Sequence, residues 1–434
     1  MHDGRRTTND GTIILKLSAM AAGGEALARE ENGRVIFVPY AIAGETARVE
    51  ISESRRGFTR GRLVEILEPS PHRITPRCPH FLPLPSPRAS GEGDQGGVRC
   101  GGCQWQHISY AAQCEFKTQI VRDQFARVAK IPNAPVLPIL PARNEWFYRN
   151  NMQYVVNENG ALCLRAPDSH TLVPIRVCFI QDEPIGDMFK TLELDPESFD
   201  GVTLRAGENT NEKFIILESD DPETPEIETD QAVSIAFRSG DTTVPILGNE
   251  FLYEKIGARV FRISPNSFFQ VNSAMAETLV AHVTEFLAPR ADDILLDAYG
   301  GVGLFGLSLA RNVLRVIEME ENPIALEDAQ ANAQDMDNVQ FHVGRVETIL
   351  PTLNSDITIA VIDPPRAGME RAALDALAAK KPRAIAYVSC DTATLARDVA
   401  RFIEHGYRLE RVQPVDLFPQ THHIECVTLL RFGE

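Results

Sequence analysis

DILLDAYGGVG (residues 293–303) is an apolar run that ends on a carboxylate and a cluster of glycines, and LFGLSLAR (304–311) follows it with helical character. The same alternation continues downstream. VLRVIEME (313–320) reads as a strand and NPIALEDAQANAQ (322–334) as a helix. NVQFHVG, DITIAVIDPP and RAIAYVSC are further short apolar runs, with helices ERAALDALAAKK and DTATLARDVARFI between or after them. Short buried strands alternating with amphipathic helices predict an α/β fold with a doubly wound, Rossmann-like sheet. Such sheets bind ligands at the carboxyl ends of their strands.

Those strand ends carry the chemistry. After Asp297 and Tyr299, the glycines at 300, 301 and 303 let the backbone turn tightly and approach a ligand. Gly306 completes a G-x-x-G spacing, so a dinucleotide site is open from spacing alone, and a ligand-free glycine loop is the bland alternative. Glu320 ends the second strand, where a carboxylate accepts hydrogen bonds from ribose hydroxyls. Asp297 stands where it can face a cationic ligand, which favours S-adenosylmethionine over a pyrophosphate. Asp363-Pro364-Pro365-Arg366 is a rigid turn after the fourth strand. An aromatic residue after the prolines would suit methylation of a base amine, and Arg366 stands there instead. Cys390 lies between a strand and a helix, where a helix N-terminus is expected to lower its pKa towards an activated thiolate. A small buried hydrophobe is the alternative for any single cysteine.

Towards the N-terminus, IILKL, VIFVPY, ETARVEI and GRLVEIL are strand-like runs separated by glycine-bearing turns, which predicts a small antiparallel β-barrel over 7–70. Pro69 and Pro71 mark its boundary. A central α+β domain is expected over 71–255, with a helix at 109–130, and the α/β domain over 256–434. FLPLPSPRASGEGDQGGVR (81–99) is too rich in Pro, Gly and Ser to pack. The chain has 434 residues, is 44% hydrophobic and 24% charged, and so is not disordered overall. No apolar run reaches the ~18 residues of a membrane span, and the first ten residues lack a signal peptide's apolar core. A cytoplasmic protein is expected, with a monomer as the default.

The formal net charge of −17 argues at first against a nucleic-acid partner, but it is unevenly spread. Residues 1–180 are net +5, residues 181–230 net −13 and residues 231–434 net −9. The acidic stretch around DPETPEIETD reads as solvated surface. Arg55, Arg56, Arg60 and Arg62 crowd beside Phe58 in the net-positive part, a pattern suited to RNA phosphates and bases and equally to a basic hairpin. Of eight cysteines, Cys100 and Cys103 form a C-x-x-C clamp fit for an iron–sulfur cluster or zinc.

With SPNSFFQVN (264–272), DAYGGVG, VIEMEENP, VIDPPRAGM, AYVSCDTATLARD and DLFPQTHHIECVTLL (416–430) in place, the chain resembles the RNA uracil-5-methyltransferases. The N-terminal strands resemble the TRAM-type RNA-binding barrel of that family. The resemblance implies S-adenosylmethionine-dependent methylation of uridine C5 in structured RNA. Cys390 would be the nucleophile and Glu425 the base, with Gln270, Tyr299, Glu320 and Asp363 holding the cofactor. It also implies a [4Fe–4S] cluster on Cys78, Cys100, Cys103 and Cys178, with zinc as the other occupant of the same ligands. Members commonly place few residues between the first two ligands, whereas 21 separate Cys78 from Cys100 here. A polar loop absorbs such an insertion, because longer closures cost only logarithmically more entropy. Cys114, Cys163 and Cys426 read as buried or incidental thiols, with Cys163 the alternative to Cys178 as a ligand. The resemblance leans to 23S ribosomal RNA as substrate over transfer RNA. Methylation of cytosine C5 or of a base amine, and a catalytically silent RNA-binding iron–sulfur protein, are the alternatives in other classes.

Overall fold

The computed structural model describes residues 6–7, 11–30, 33–81, 99–167, 169–227, 229 and 231–433. The Pro/Gly/Ser-rich segment lies, apart from Phe81 and Arg99, outside the described residues. The chain forms two compact units. The first comprises Met1–Ile120, Leu164–Val177 and Phe418–His423, and the second Val121–Cys163, Cys178–Leu417 and Ile424–Glu434.

In the first unit, strands β1 (Ile13–Lys16), β2 (Ala26–Arg29), β3 (Val35–Val38), β4 (Thr46–Arg55) and β5 (Phe58–Glu68) pair in the order β1-β4-β5-β3-β2. The two-residue strands Arg6–Thr7 and Ala19–Met20 extend the two edges. One pairing departs from the antiparallel expectation: β3 runs parallel to β5, with Val35 opposite Phe58, because the β4–β5 hairpin returns beside β3. Alternating residues Ile13, Leu15, Ile36, Val38, Ala47 and Val49 fill the interior, each apolar side chain contributing roughly 1.5–3 kcal/mol. Glu45 is buried among them and satisfied. It accepts from the Ile42 and Ser70 amides, and Arg73 donates a bidentate pair at 2.6 and 2.8 Å. The chain is thereby held at the proline boundary.

The stretch expected to be helical at 109–130 is helix α1 (Tyr110–Arg127). In the second unit, β6 (Asn151–Val156), β7 (Gly201–Gly207), β8 (Glu212–Glu218), β9 (Ser234–Ser239) and β10 (Thr242–Leu247) are neighbours in that order, with β8 and β9 parallel. The acidic stretch is therefore not all solvated surface: β7 is buried at every position, and the exposed acids flank it. A hairpin of β11 (Leu252–Ile256) and β12 (Arg259–Ile263) leads to helix α2 (Ser273–Leu287), which Asn272 caps by accepting from the Met275 amide.

The α/β sheet follows. Its strands are β13 (Ile294–Ala298), β14 (Arg315–Glu320), β15 (Val339–Val343), β16 (Ile359–Ile362), β17 (Ala384–Ser389), β18 (Tyr407–Val415) and β19 (Glu425–Phe432), in the order β15-β14-β13-β16-β17-β19-β18. Helices α3 (Leu304–Leu309), α4 (Pro323–Asn332), α5 (Arg371–Lys380) and α6 (Thr392–Glu404) connect them. The first five strands are parallel, and β19 inserts antiparallel between β17 and β18. The order reverses between β13 and β16, so a crevice opens beyond Asp297 and Asp363.

Candidate active site

Beyond β13 the backbone turns through left-handed positions at Tyr299 (φ +69°), Gly301 (+59°) and Gly303 (+90°). Glu320, at the end of β14, holds this turn: the Gly301 amide donates to it at 2.8 Å and the Asn322 amide at 2.7 Å. Its remaining lone pairs are free to accept from vicinal hydroxyls. The Gly306 amide donates to Asp297 Oδ2 at 2.5 Å. An amide that a pyrophosphate would use is thus taken by the protein's own carboxylate, which disfavours the dinucleotide alternative.

The crevice is strongly acidic. Burial, with further repulsion from Asp363 and Glu320, pushes Asp297 up to about 8, and burial pushes Asp363 up to about 7. Asp297 Oδ1 and both Glu318 carboxyl oxygens are buried without hydrogen-bond partners. The orphaned Asp297 oxygen near the end of β13, with Glu320 and Asp363 at the neighbouring strand ends, fits a ligand carrying positive charge and hydroxyls, as the sulfonium, ammonium and ribose of S-adenosylmethionine do.

Cys390 and Glu425 adjoin the same paired strand ends. In the antiparallel β17–β19 pair Ser389 faces Cys426; Cys390 is the first residue past β17, Glu425 the first of β19, and the charge of Glu425 acts on the Cys390 thiol. Glu425 is buried, and burial followed by the charge of Asp363 holds its carboxyl well above the usual range. The Cys390 thiol is pushed up to about 11 by burial and then by Glu425 and Asp363, and Arg366 opposes the shift. Burial and these two carboxylates therefore outweigh the lowering expected from the helix terminus. Asp391 is the reason on the helix side: its carboxylate caps α6, accepting from the Ala393 and Thr394 amides at 3.0 and 2.8 Å.

The segments around this pair are braced from α6 and α4. Thr394 donates to the Arg366 carbonyl (3.1 Å) and Arg397 to the Ala367 carbonyl (2.9 Å). Asp398 accepts from the Met369 amide (2.9 Å) and the Tyr387 hydroxyl (2.7 Å). The polar residues of TLARD thus hold the DPPRAG turn, in which Gly368 has φ +77°. On the other side, buried Asp328 of α4 accepts from the Ser264 amide and hydroxyl, the Ser267 hydroxyl and Arg262. Arg205 of β7 donates to the Ser264 and Pro265 carbonyls. This fixes the loop that carries Gln270, which is buried, and Phe268, which is 71% exposed. Sequence reasoning missed Asp328, Arg205 and Phe268. A lone arginine within the apolar run GVTLRAG was the only signal for Arg205.

In the first unit the 21-residue spacing is closed: the Cys100 amide donates to the His80 carbonyl at 3.0 Å, bringing the Cys78 segment beside the C-x-x-C turn. Within that turn the Gly102 amide donates to Cys100 Sγ at 3.4 Å, the kind of bond a thiolate ligand accepts. Burial raises the Cys78 thiol. Among the described residues no three His, Cys, Asp or Glu side chains stand arranged to hold a metal ion. The fit to a cluster is thus partial.

A doubly wound sheet with an acidic, hydroxyl-accepting crevice beside a cysteine defines an S-adenosylmethionine-dependent methyltransferase. The model of the tRNA (uracil-5-)-methyltransferase family matches residues 230–432, and that of the TRAM domain residues 13–64. The chain is 32% identical to an uncharacterized RNA methyltransferase of Thermosynechococcus vestitus, over 96% of this chain and 98% of that one. It is 34% identical to another from Oceanobacillus iheyensis, over 94% of each. The solved structure of the Pyrococcus abyssi tRNA (uracil-54, C5)-methyltransferase with S-adenosyl-L-homocysteine superposes with a TM-score of 0.72 at 24% identity, covering 95% of this chain and 98% of that one, a likeness of fold. The chain belongs to the RNA (uracil-5-)-methyltransferase family. Among the described residues no helix is long and apolar enough to cross a membrane.

Proposed function

We propose that the protein methylates C5 of a uridine in structured RNA through a covalent bond between Cys390 and uracil C6. The observation that carries this reading is that Cys390 and the buried Glu425 adjoin the same paired strand ends at the mouth of the acidic crevice. S-adenosylmethionine, when bound, supplies the electrophilic methyl group. Gln270, Tyr299, Glu320 and Asp363 hold it. As the thiolate, Cys390 Sγ adds to C6 and the ring becomes an enolate, whose C5 takes the methyl while the electron pair of the broken S–CH3 bond stays on the departing thioether sulfur. Glu425 then removes the C5 proton, and the electrons of that bond expel Cys390 from C6. Covalent catalysis divides one difficult step into easier ones. A carboxyl raised above its usual range suits a base operating near neutral pH. The high thiol pKa ties activation to occupancy: neutralising Asp363 with a cationic cofactor removes one of the two carboxylates that raise it. A stacked uracil cannot reach this pair, so the base is flipped out, most cheaply from a loop.

The substrate is 23S ribosomal RNA, a reading supported by the barrel together with the cysteine set Cys78, Cys100, Cys103 and Cys178, proposed to hold a structural [4Fe–4S] cluster. The enzyme works as a cytoplasmic monomer. Digestion of ribosomal and transfer RNA after incubation with labelled S-adenosylmethionine, followed by mass-spectrometric mapping, tests this. Label at uridine C5 in 23S RNA that disappears with Cys390→Ala is expected. Label in transfer RNA would overturn the substrate, and undiminished methylation by the variant would overturn the mechanism. Anaerobic reconstitution that yields no iron or sulfide absorbance would remove the cluster.

A further inference from the structure

The reaction gives no role to two buried carboxyls, Asp297 and Glu318. The strand of Glu318 lies parallel to β13 with Glu318 beside Asp297, and Glu318 is fully buried with neither oxygen hydrogen-bonded. Gly300 and Gly306 make its room. Neither has a left-handed φ, so backbone conformation does not require glycine at either place. A Cβ at 300 would overlap Glu318 Oε1 and stand 2.7 Å from its Cδ. A Cβ at 306 would overlap Glu318 Oε2 and stand 2.9 Å from Asp297 Oδ2. The Glu318 carboxyl therefore fills the space of two missing methyl groups, with a carboxyl oxygen of each acid close to the same point.

We propose that Glu318 is a positioning residue of the cofactor loop: as a neutral acid beside Asp297 it packs beneath Gly300 and Gly306, fixing the turn that receives S-adenosylmethionine. This rests on the cofactor reading above. Two carboxyls this close in a dry site cannot both be ionised, so the pair keeps one proton. Asp297 is the first of the two to ionise because it accepts the Gly306 amide, whereas Glu318 accepts nothing. The groups facing Glu318 are Asp297 on β13 and Glu320 on its own strand, with Asp363 beyond β16 acting through Asp297. β15 opposes it with Phe341, and α3 brings only backbone and uncharged side chains. All the facing charges are negative, so proton loss leaves repulsion that nothing offsets and opens the loop as pH rises.

The test is a cycle of G300A, E318A and G300A/E318A, with E318Q beside it, read by calorimetric binding of S-adenosylhomocysteine from pH 6.5 to 9.5 and by thermal unfolding without ligand. G300A is expected to weaken binding more than tenfold and to lower the melting temperature. G300A/E318A should return to within about threefold of E318A, because the methyl group then has space. Wild-type affinity should fall relative to that of E318Q towards the alkaline end of this range, because E318Q has no proton to lose, and the ligand's own titration cancels in that comparison. An equal Gly300→Ala penalty with and without Glu318, or one shared pH profile for wild type and E318Q, would overturn the proposal. If G300A does not fold, the two pH profiles decide alone. If wild type binds no S-adenosylhomocysteine at any pH, the cofactor reading fails, while the ligand-free melting cycle still decides the role of Glu318.

Discussion

Replacing Glu425 by Gln should make Cys390 more acidic, although it abolishes turnover. With the thiol at about 11, roughly one molecule in 3,000 carries the thiolate at pH 7.5, against about one in 30 for a thiol at the ordinary 9.0. Glu425 supplies part of that difference. Cross-strand neighbours in antiparallel strands have Cβ atoms about 5 Å apart, the scale for Cys390 and Glu425, which adjoin the Ser389–Cys426 pair. At an effective dielectric of ~20, two unit charges at that distance repel by about 3 kcal/mol. Cys390 is partly open to water, and screening reduces this to roughly half, about one pH unit. The assay is the rate of iodoacetamide alkylation at the Cys390 peptide, from brief exposures between pH 7.5 and 11.5, followed by mass spectrometry. The wild-type midpoint should lie near 11 and the Glu425→Gln midpoint about one unit lower, with alkylation at pH 9 about tenfold faster. A wild-type midpoint at or below 8.5, or a midpoint that Glu425→Gln leaves in place, would refute the reasoning.

Glu425→Gln should also raise stability at alkaline pH. The folded carboxyl titrates above its unfolded value of about 4.5, so its burial costs stability progressively as pH rises from there to the folded pKa. The variant should melt a few degrees above wild type at pH 8 and show no such advantage at pH 4. Asp328→Ala leaves the Ser264 amide, two hydroxyls and Arg262 without their acceptor, and should cost about 3–5 kcal/mol in urea unfolding while weakening S-adenosylhomocysteine binding. Sinefungin, whose amine takes the place of the sulfonium, should lower the alkylation midpoint of Cys390 relative to neutral-sulfur S-adenosylhomocysteine, because it partly neutralises Asp363.

The strand ends of the α/β domain were legible because periodicity and glycine placement are local properties: Asp297, Glu320, Asp363 and Cys390 all lie where the alternation puts them. The adjacency of Cys390 and Glu425 was not, since it depends on β19 running antiparallel beside β17, and only the family resemblance anticipated it. The thiol's state was misread for a related reason. A helix N-terminus after Cys390 is visible in sequence, but the carboxylates that help outweigh it come from β19 and the turn after β16, and Asp391 takes the Ala393 and Thr394 amides. The parallel β3–β5 contact was hidden because alternation fixes faces and not strand neighbours. Arg205 escaped notice inside the acidic stretch, whose net charge pointed to the surface while its apolar strands were buried.

The most direct test of the covalent mechanism uses RNA containing 5-fluorouridine at the target position. Fluorine at C5 leaves Glu425 no proton to remove, so methylation should stall with the RNA bonded to the protein. In the presence of S-adenosylmethionine, a denaturation-resistant complex whose mass is protein plus methylated RNA should form, mapped to the Cys390 peptide and absent in Cys390→Ala. A complex that persists in Cys390→Ala, or free RNA recovered methylated at the fluorinated base with no covalent complex, would contradict the account.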